Sequence, residues 1–207
     1  MLGATFAAVI TLIAIVFTVP TGAIENLNGT YSVYCGVYCT QTQGGWGQDS
    51  CSGGNVACLR DAHFNTVYPT DLVVGGTNTL TFNNASDVAA YLPAGGTPAS
   101  LITNHTNPTT TESGVFGGQV TALRLNRDFS ASGFGKVGLP CPLGELTIAD
   151  TEDPFYGWTV NDFLDMAEDV LGGDSPPSGI TISDVNDTAT AINENYVDCT
   201  TDNGFLE

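Results

Sequence analysis

The stretch TVNDFLDMAEDVLGG, residues 159–173, decides the fold. Val160, Phe163, Leu164, Ala167, Val170 and Leu171 recur at helical spacing and form one apolar stripe. Thr159 followed by Asp162 is an N-cap with an acidic residue at N3, and Gly172-Gly173 ends the helix because only glycine turns there without strain. Beyond the Pro-containing loop GGDSPPSGIT a second helix starts at Ser183, with Asp184 in its first turn and Val185, Ala189, Ile192 and Tyr196 on one face. Working towards the N-terminus, a helix is predicted over Gly118–Phe129, with Val120, Leu123 and Phe129 inward and Arg124 and Arg127 outward.

Further out the signals are shorter. DLVVGGTNTLTF, residues 71–82, reads as two β-type runs about a Gly-Gly-Thr-Asn turn, hence a hairpin. Asn84 to Asp87 caps a short helix through Tyr91 and Leu92, closed by Pro93, and residues 94–114 form a long polar loop. Asn55–Val67 places Val56, Leu59, His63 and Val67 at helical spacing and is stopped by Pro69. Residues 24–54 are rich in Tyr, Gly, Thr, Gln and Cys without a period and read as irregular, cross-linked chain. The fold class is therefore α+β: a helix-rich small domain with a short β-hairpin or sheet, held by disulfides.

The uncharged apolar run Leu2–Val19 precedes all six cysteines, Cys35, Cys39, Cys51, Cys58, Cys141 and Cys199, an arrangement that predicts export to an oxidising compartment. Thr21 and Ala23 are small residues at signal-peptidase spacing, so cleavage is expected after Ala23, with the mature chain starting at Ile24. A retained membrane anchor is the alternative, because no Lys or Arg precedes the run. The expected organisation is a leader or anchor over 1–23 and one extracellular domain over 24–207. Within that domain, 24–58 is the Cys/Gly-rich irregular part, 59–144 a mixed α/β part and 145–207 an acidic helical part.

Net charge is −18, from four basic residues, Arg60, Arg124, Arg127 and Lys136, against 22 acids. Such a surface repels nucleic acid and anionic lipid, which removes both as partners and leaves the membrane only to the N-terminal segment. Hydrophobic content of 42% and charged content of 13% exclude intrinsic disorder, since this chain can bury enough apolar area to offset its ordering entropy.

Motifs for chemistry are missing. There is no GxGxxG, GxxxxGK[ST] or GxSxG, and Cys35-x3-Cys39 lacks the redox spacing. His63 and His105 are the two histidines, and neither stands at metal spacing from a second ligand. No enzyme and no cofactor are therefore expected. Calcium is the metal that the composition favours, with Asp150, Glu152 and Asp153, or Asp184, Asn186 and Asp187, as oxygen clusters, although helix capping explains the second set. The run Asp198–Gly204 fails as an EF-hand loop, because Gly204 at position six puts Cys199 at position one. Asn28, Asn84, Asn104 and Asn186 each begin an Asn-X-Ser/Thr triplet and are candidate N-glycosylation sites, though several triplets arise by chance in an Asn- and Thr-rich chain.

The phrases CTQTQGGWG, YLPAGGTPASL, GGQVTALRLNRDF, LGELTI, GWTVNDFLDMAEDVLGG and INENYVDCTTDNGFL occur in this order from Cys39 to Leu206. Together they resemble an uncharacterised module of secreted and surface-attached bacterial proteins, found as one part of larger adhesin-like chains. The resemblance implies an extracellular, non-enzymatic role and a core made by the three C-terminal helices, and it carries over no catalytic residue. Against the family pattern, Cys199 replaces the Gly of Asp-Gly-Thr, Cys141 lies in an inserted Pro-Cys-Pro, and no sorting tail follows Glu207. Two added cysteines imply a Cys141–Cys199 bond, with the other four pairing among themselves; the missing tail implies a stand-alone secreted subunit or a fragment.

The expected function is an exported, non-enzymatic structural or adhesive component of the cell surface or extracellular matrix, partnered by other surface or matrix proteins or by itself. The alternative is a glycan-binding module in which Trp46, Tyr156 and Trp158 stack on sugar faces. Exposure of Trp46 or Trp158 beside polar groups favours sugars; an apolar patch or open sheet edge favours assembly.

Overall fold

The structure, a computed structural model, describes residues 23–25, 31–33, 38–134 and 142–207. The apolar run Leu2–Val19, Asn28, Cys35 and Cys141 lie outside the described residues, and with them the choice between leader and anchor. Among the described residues no helix is long and apolar enough to cross a membrane. The chain divides into two units, residues 1–34 and 35–207. In the first, strands β1 (Ala23–Glu25) and β2 (Tyr31–Val33) pair antiparallel, Ile24 opposite Ser32.

The second unit is the predicted disulfide-bonded α+β body. It runs α1 (Gln43–Trp46), α2 (Val56–Val67), β3 (Leu72–Gly75), β4 (Thr79–Phe82), α3 (Ala85–Tyr91), β5 (His105–Thr106), α4 (Gly114–Ala131), a 3-10 turn (Leu143–Glu145), α5 (Val160–Leu171) and α6 (Ile182–Asn195). Strands β3 and β4 form the expected hairpin, Val73 opposite Thr81, and β5 adds parallel to β4, giving the sheet order β3-β4-β5. Helix α4 is the centre of the body and touches α1, α5, α6, β3 and the 3-10 turn.

Local chemistry explains most boundaries. Thr159 caps α5 by accepting from the Asp162 N–H. Thr181 and Asp184 form a reciprocal capping box at α6. Asn55 and Asn84 cap α2 and α3 through their side-chain oxygens. Phe163, Leu164, Val170 and Ile192 are buried, as the stripes on α5 and α6 predict.

Three expectations about the helices change. Helix α4 begins at Gly114, earlier than predicted, because its glycine-rich start lies against neighbouring chain: a Cβ on Gly118 would stand 1.8 Å from Gln43 Oε1. Helix α2 turns Ala57, Arg60 and Phe64 inward, leaving Val56, Leu59, His63 and Val67 only half-buried. The cause is Arg60, 1% exposed, whose guanidinium donates to the carbonyls of Trp46 and Gln48 and pairs with Asp61 at 2.8 Å. Arg124 also turns from solvent, its Nε 2.6 Å from Asp128 and its Nη1 2.8 Å from Glu168 of α5.

The N-terminal part of this unit is locked to the helices through buried amides. Asn126 Oδ1 accepts from the Gln41 N–H at 2.9 Å and the Trp46 Nε1–H at 3.0 Å. Its Nδ2 donates to the Gln41 carbonyl and to Asn193 Oδ1, both at 2.9 Å. Asn193 in turn donates to the carbonyl and the side chain of Gln119.

Among the described residues the disulfides are Cys39–Cys199 and Cys51–Cys58. The first corrects the expected Cys141–Cys199 pair. Thr40 bridges Val197 in parallel, with Thr40 N–H donating to the Tyr196 carbonyl at 3.0 Å, and this places Cys39 alongside Cys199. A shared departure from a family pattern carries no such spatial information.

Candidate functional surface

The turn between Ile148 and Thr159 carries two exposed aromatic rings. Its backbone closes on itself: Ile148 N–H donates to the Trp158 carbonyl, Gly157 N–H to the Ile148 carbonyl, and Asp153 Oδ1 accepts from the Phe155 N–H at 2.8 Å. Gly157 takes φ +80°, the left-handed region that favours glycine. Asp153 Oδ2 accepts from Thr188 Oγ1 of α6 at 2.7 Å, tying the turn to the helices. Phe155 is buried edge-on against Phe163 at 5.0 Å between centroids, and Trp158 packs edge-on against Phe155 at 5.4 Å.

On this base stand Tyr156 and Trp158, 54% and 37% exposed, the exposed large aromatics among the described residues. Asp150 and Thr151, at the foot of the turn, form one wall of an open cleft of about 460 Å³ with Glu194, Asn203 and Phe205 on the others. The rings and one wall of the cleft belong to the same turn, and neither ring lines the cleft itself. Trp46 is not part of it: the ring is 1% exposed and its Nε1–H is spent on Asn126, which corrects its place among the stacking candidates. Val73 and Ile102 are exposed singly on β3 and on the loop before β5.

The remaining candidates have structural partners. His63 stacks on Phe134 at 4.0 Å. His105 Nε2 lies 3.0 Å from Glu112 Oε2, while Glu112 Oε1 accepts from the Ile102 N–H at 2.8 Å, so the carboxylate staples the loop 102–112. The Ile102 N–H foremost, then the backbone N–H of Glu112 itself and His105, hold the Glu112 carboxyl below its usual range against its partial desolvation. Asp184 is likewise lowered by the Thr181 hydroxyl and N–H. Burial pushes Glu168 up, opposed by Arg124. Among the described residues no group of three or more His, Cys, Asp or Glu could hold a metal ion.

The glycosylation triplets separate by environment. Asn84 and Asn104 are exposed. Asn186 is 8% exposed inside α6, its Oδ1 enclosed without a partner and its Nδ2 on Asp187, so it drops out as an acceptor in the folded chain. Tyr156 and Trp158 are the two stacking candidates that the fold leaves at the surface, and the bracing of their turn by Phe155 and Asp153 rests on contacts with α5 and α6 that no local pattern encodes. Comparison of the chain with protein-family models, with curated proteins and with solved structures gives no match.

Proposed function

We infer that the chain is a non-enzymatic adhesive or structural component of the cell surface or extracellular matrix, and that it makes contact through the Tyr156–Trp158 turn. One observation carries this reading: the two exposed aromatics stand two residues apart on a turn braced by buried Phe155, in a body closed by disulfides. Rigid aromatic side chains give large contact area with little entropy lost on binding. The glycan-binding alternative draws on the same rings, because Trp158 is exposed on the turn whose Asp150 and Thr151 line a polar cleft.

The test is retention under flow of beads coated with the full chain, on the producing cells and on their extracted matrix, for wild type and Y156A/W158A. Retention falling at least tenfold with unchanged circular dichroism supports the turn as the contact. Equal retention overturns it. Soluble polysaccharide that releases wild-type beads selects the glycan reading; release only by soluble copies of the chain selects self-association.

A further inference from the structure

We propose that, in a cell that glycosylates Asn-X-Ser/Thr, Asn84 and Asn104 are acceptors of N-linked glycan and that Asn186, with the same triplet, carries none in the folded protein. Transfer joins the Asn Nδ2 to the anomeric carbon of an oligosaccharide. The donor is a lipid-pyrophosphate-linked sugar. The C1–O bond to pyrophosphate breaks, the C1–N bond forms, the amide loses one proton, and the lipid pyrophosphate leaves. The product keeps the amide carbonyl. An acceptor in a folded protein therefore needs an Nδ2 free to point into solvent, and its Oδ1 can remain in structural use.

Asn84 and Asn104 meet both conditions. Asn84 Oδ1 caps α3, accepting from the Asp87 N–H at 3.1 Å and from the Ser86 hydroxyl at 2.6 Å. Asn104 Oδ1 accepts from the Thr79 N–H at 3.0 Å and the Thr79 hydroxyl at 3.4 Å. Neither Nδ2 donates to a described residue, and both side chains are exposed. The oxygen-side bonds fix the direction in which each Nδ2 leaves the surface. The third residue of each triplet, Ser86 or Thr106, is exposed as well. At Asn186 the amide is enclosed, so a sugar there would force α6 off the body, and molecules carrying one are lost from the folded pool.

The two positions share a location. Asn104 bonds the first residue of β4, Asn84 lies two residues past its last, and β5 beside it is an edge strand. Roughly 15 Å of chain separates them at about 3.3 Å per residue. Glycans at the two positions would stand at opposite ends of β4, beside β5.

The experiment secretes the full chain from a eukaryotic cell that glycosylates Asn-X-Ser/Thr. Peptides are then mapped after glycosidase release in ¹⁸O water, which marks each formerly occupied Asn. Asn84 and Asn104 are expected to be labelled in most molecules and Asn186 in none; Asn28 is read as a separate peptide. S86A and T106A, which keep both asparagines but remove the hydroxyl the transferase requires, are each expected to lower the intact mass by one glycan. An unlabelled Asn84 or Asn104 in secreted wild-type protein, or a labelled Asn186, overturns the proposal without recourse to any variant.

Discussion

Replacing Asn126 by Leu tests the claim that buried amides, and not apolar packing alone, hold the N-terminal part of the body to α4. The substitution leaves the Gln41 N–H, the Trp46 Nε1–H, the Gln41 carbonyl and Asn193 Oδ1 without the partner each has in the native state. A buried polar group left unpaired costs about 1 to 3 kcal/mol. Four of them give a loss of at least about 4 kcal/mol, a large part of the roughly 5–15 kcal/mol that keeps an ordinary domain folded. The assay is guanidinium unfolding followed by tryptophan fluorescence, since Trp46 loses its hydrogen bond and its enclosure together. Asn126→Asp sharpens the test. It keeps the Oδ1 acceptor but sets a second carboxylate oxygen against the Gln41 carbonyl and Asn193 Oδ1. The folded state then favours the protonated acid, whose O–H can donate. The folded pKa is raised above the unfolded value, and the variant's stability relative to wild type is present at low pH and lost as pH rises through the folded pKa. An Asn126→Leu protein within about 1 kcal/mol of wild type would refute the reasoning.

Removing the Cys39–Cys199 bond with a C39S/C199S pair should lower stability by about 5 kcal/mol in the chain-entropy model, given its separation of 160 residues, and guanidinium midpoints measure it; a loss under about 1 kcal/mol would show the ends already held by Thr40 and Val197. Leu164→Ala, at a wholly buried position, should cost about 2 to 5 kcal/mol by calorimetry, and a smaller effect would place Leu164 outside the core. Burial raises the phenols of Tyr38, to about 12, and of Tyr68, Tyr91 and Tyr196 above the ordinary value of 10.0. The folded chain holds these protons more tightly than the unfolded one, so this contribution is complete below pH 10 and lost as pH climbs to the folded values. Tyrosinate absorbance from these four should therefore rise together with the loss of circular dichroism, and a smooth titration centred on pH 10 in folded protein would contradict it.

The parts of this fold that were legible in the sequence are those where one segment carries its own instructions. The caps at Thr159 and Asn84 and the stripe of α5 need no partner to be recognised. The rotation of α2 is not legible, because the spacing rule counts Arg60 as polar and outward, whereas its guanidinium finds two carbonyls to bind inside. The start of α4 reads as loop because glycine disfavours helix in isolation; here its missing Cβ makes room for Gln43. Trp46 and Tyr156 are both large aromatics followed by glycine, and nothing local tells their surroundings apart. One is enclosed because an asparagine 80 residues away accepts its N–H, the other lies free on a turn. Disulfide partners are set by which turns meet, a property of the finished body.

The Cys39–Cys199 bond also sets how this protein carries load. Tension applied to the chain ahead of Cys39 and behind Cys199 first peels residues 205–207 from Thr147 and Ala149, where three backbone hydrogen bonds hold them. The pull then reaches the sulfurs and crosses directly from one cysteine to the other. The 160-residue span between them lies off the force path. Stretching would leave the helices slack and the Tyr156–Trp158 turn undistorted until a covalent bond failed or was reduced. Reduction would place the whole span in series with the pull, converting a short strut into a long extensible tether.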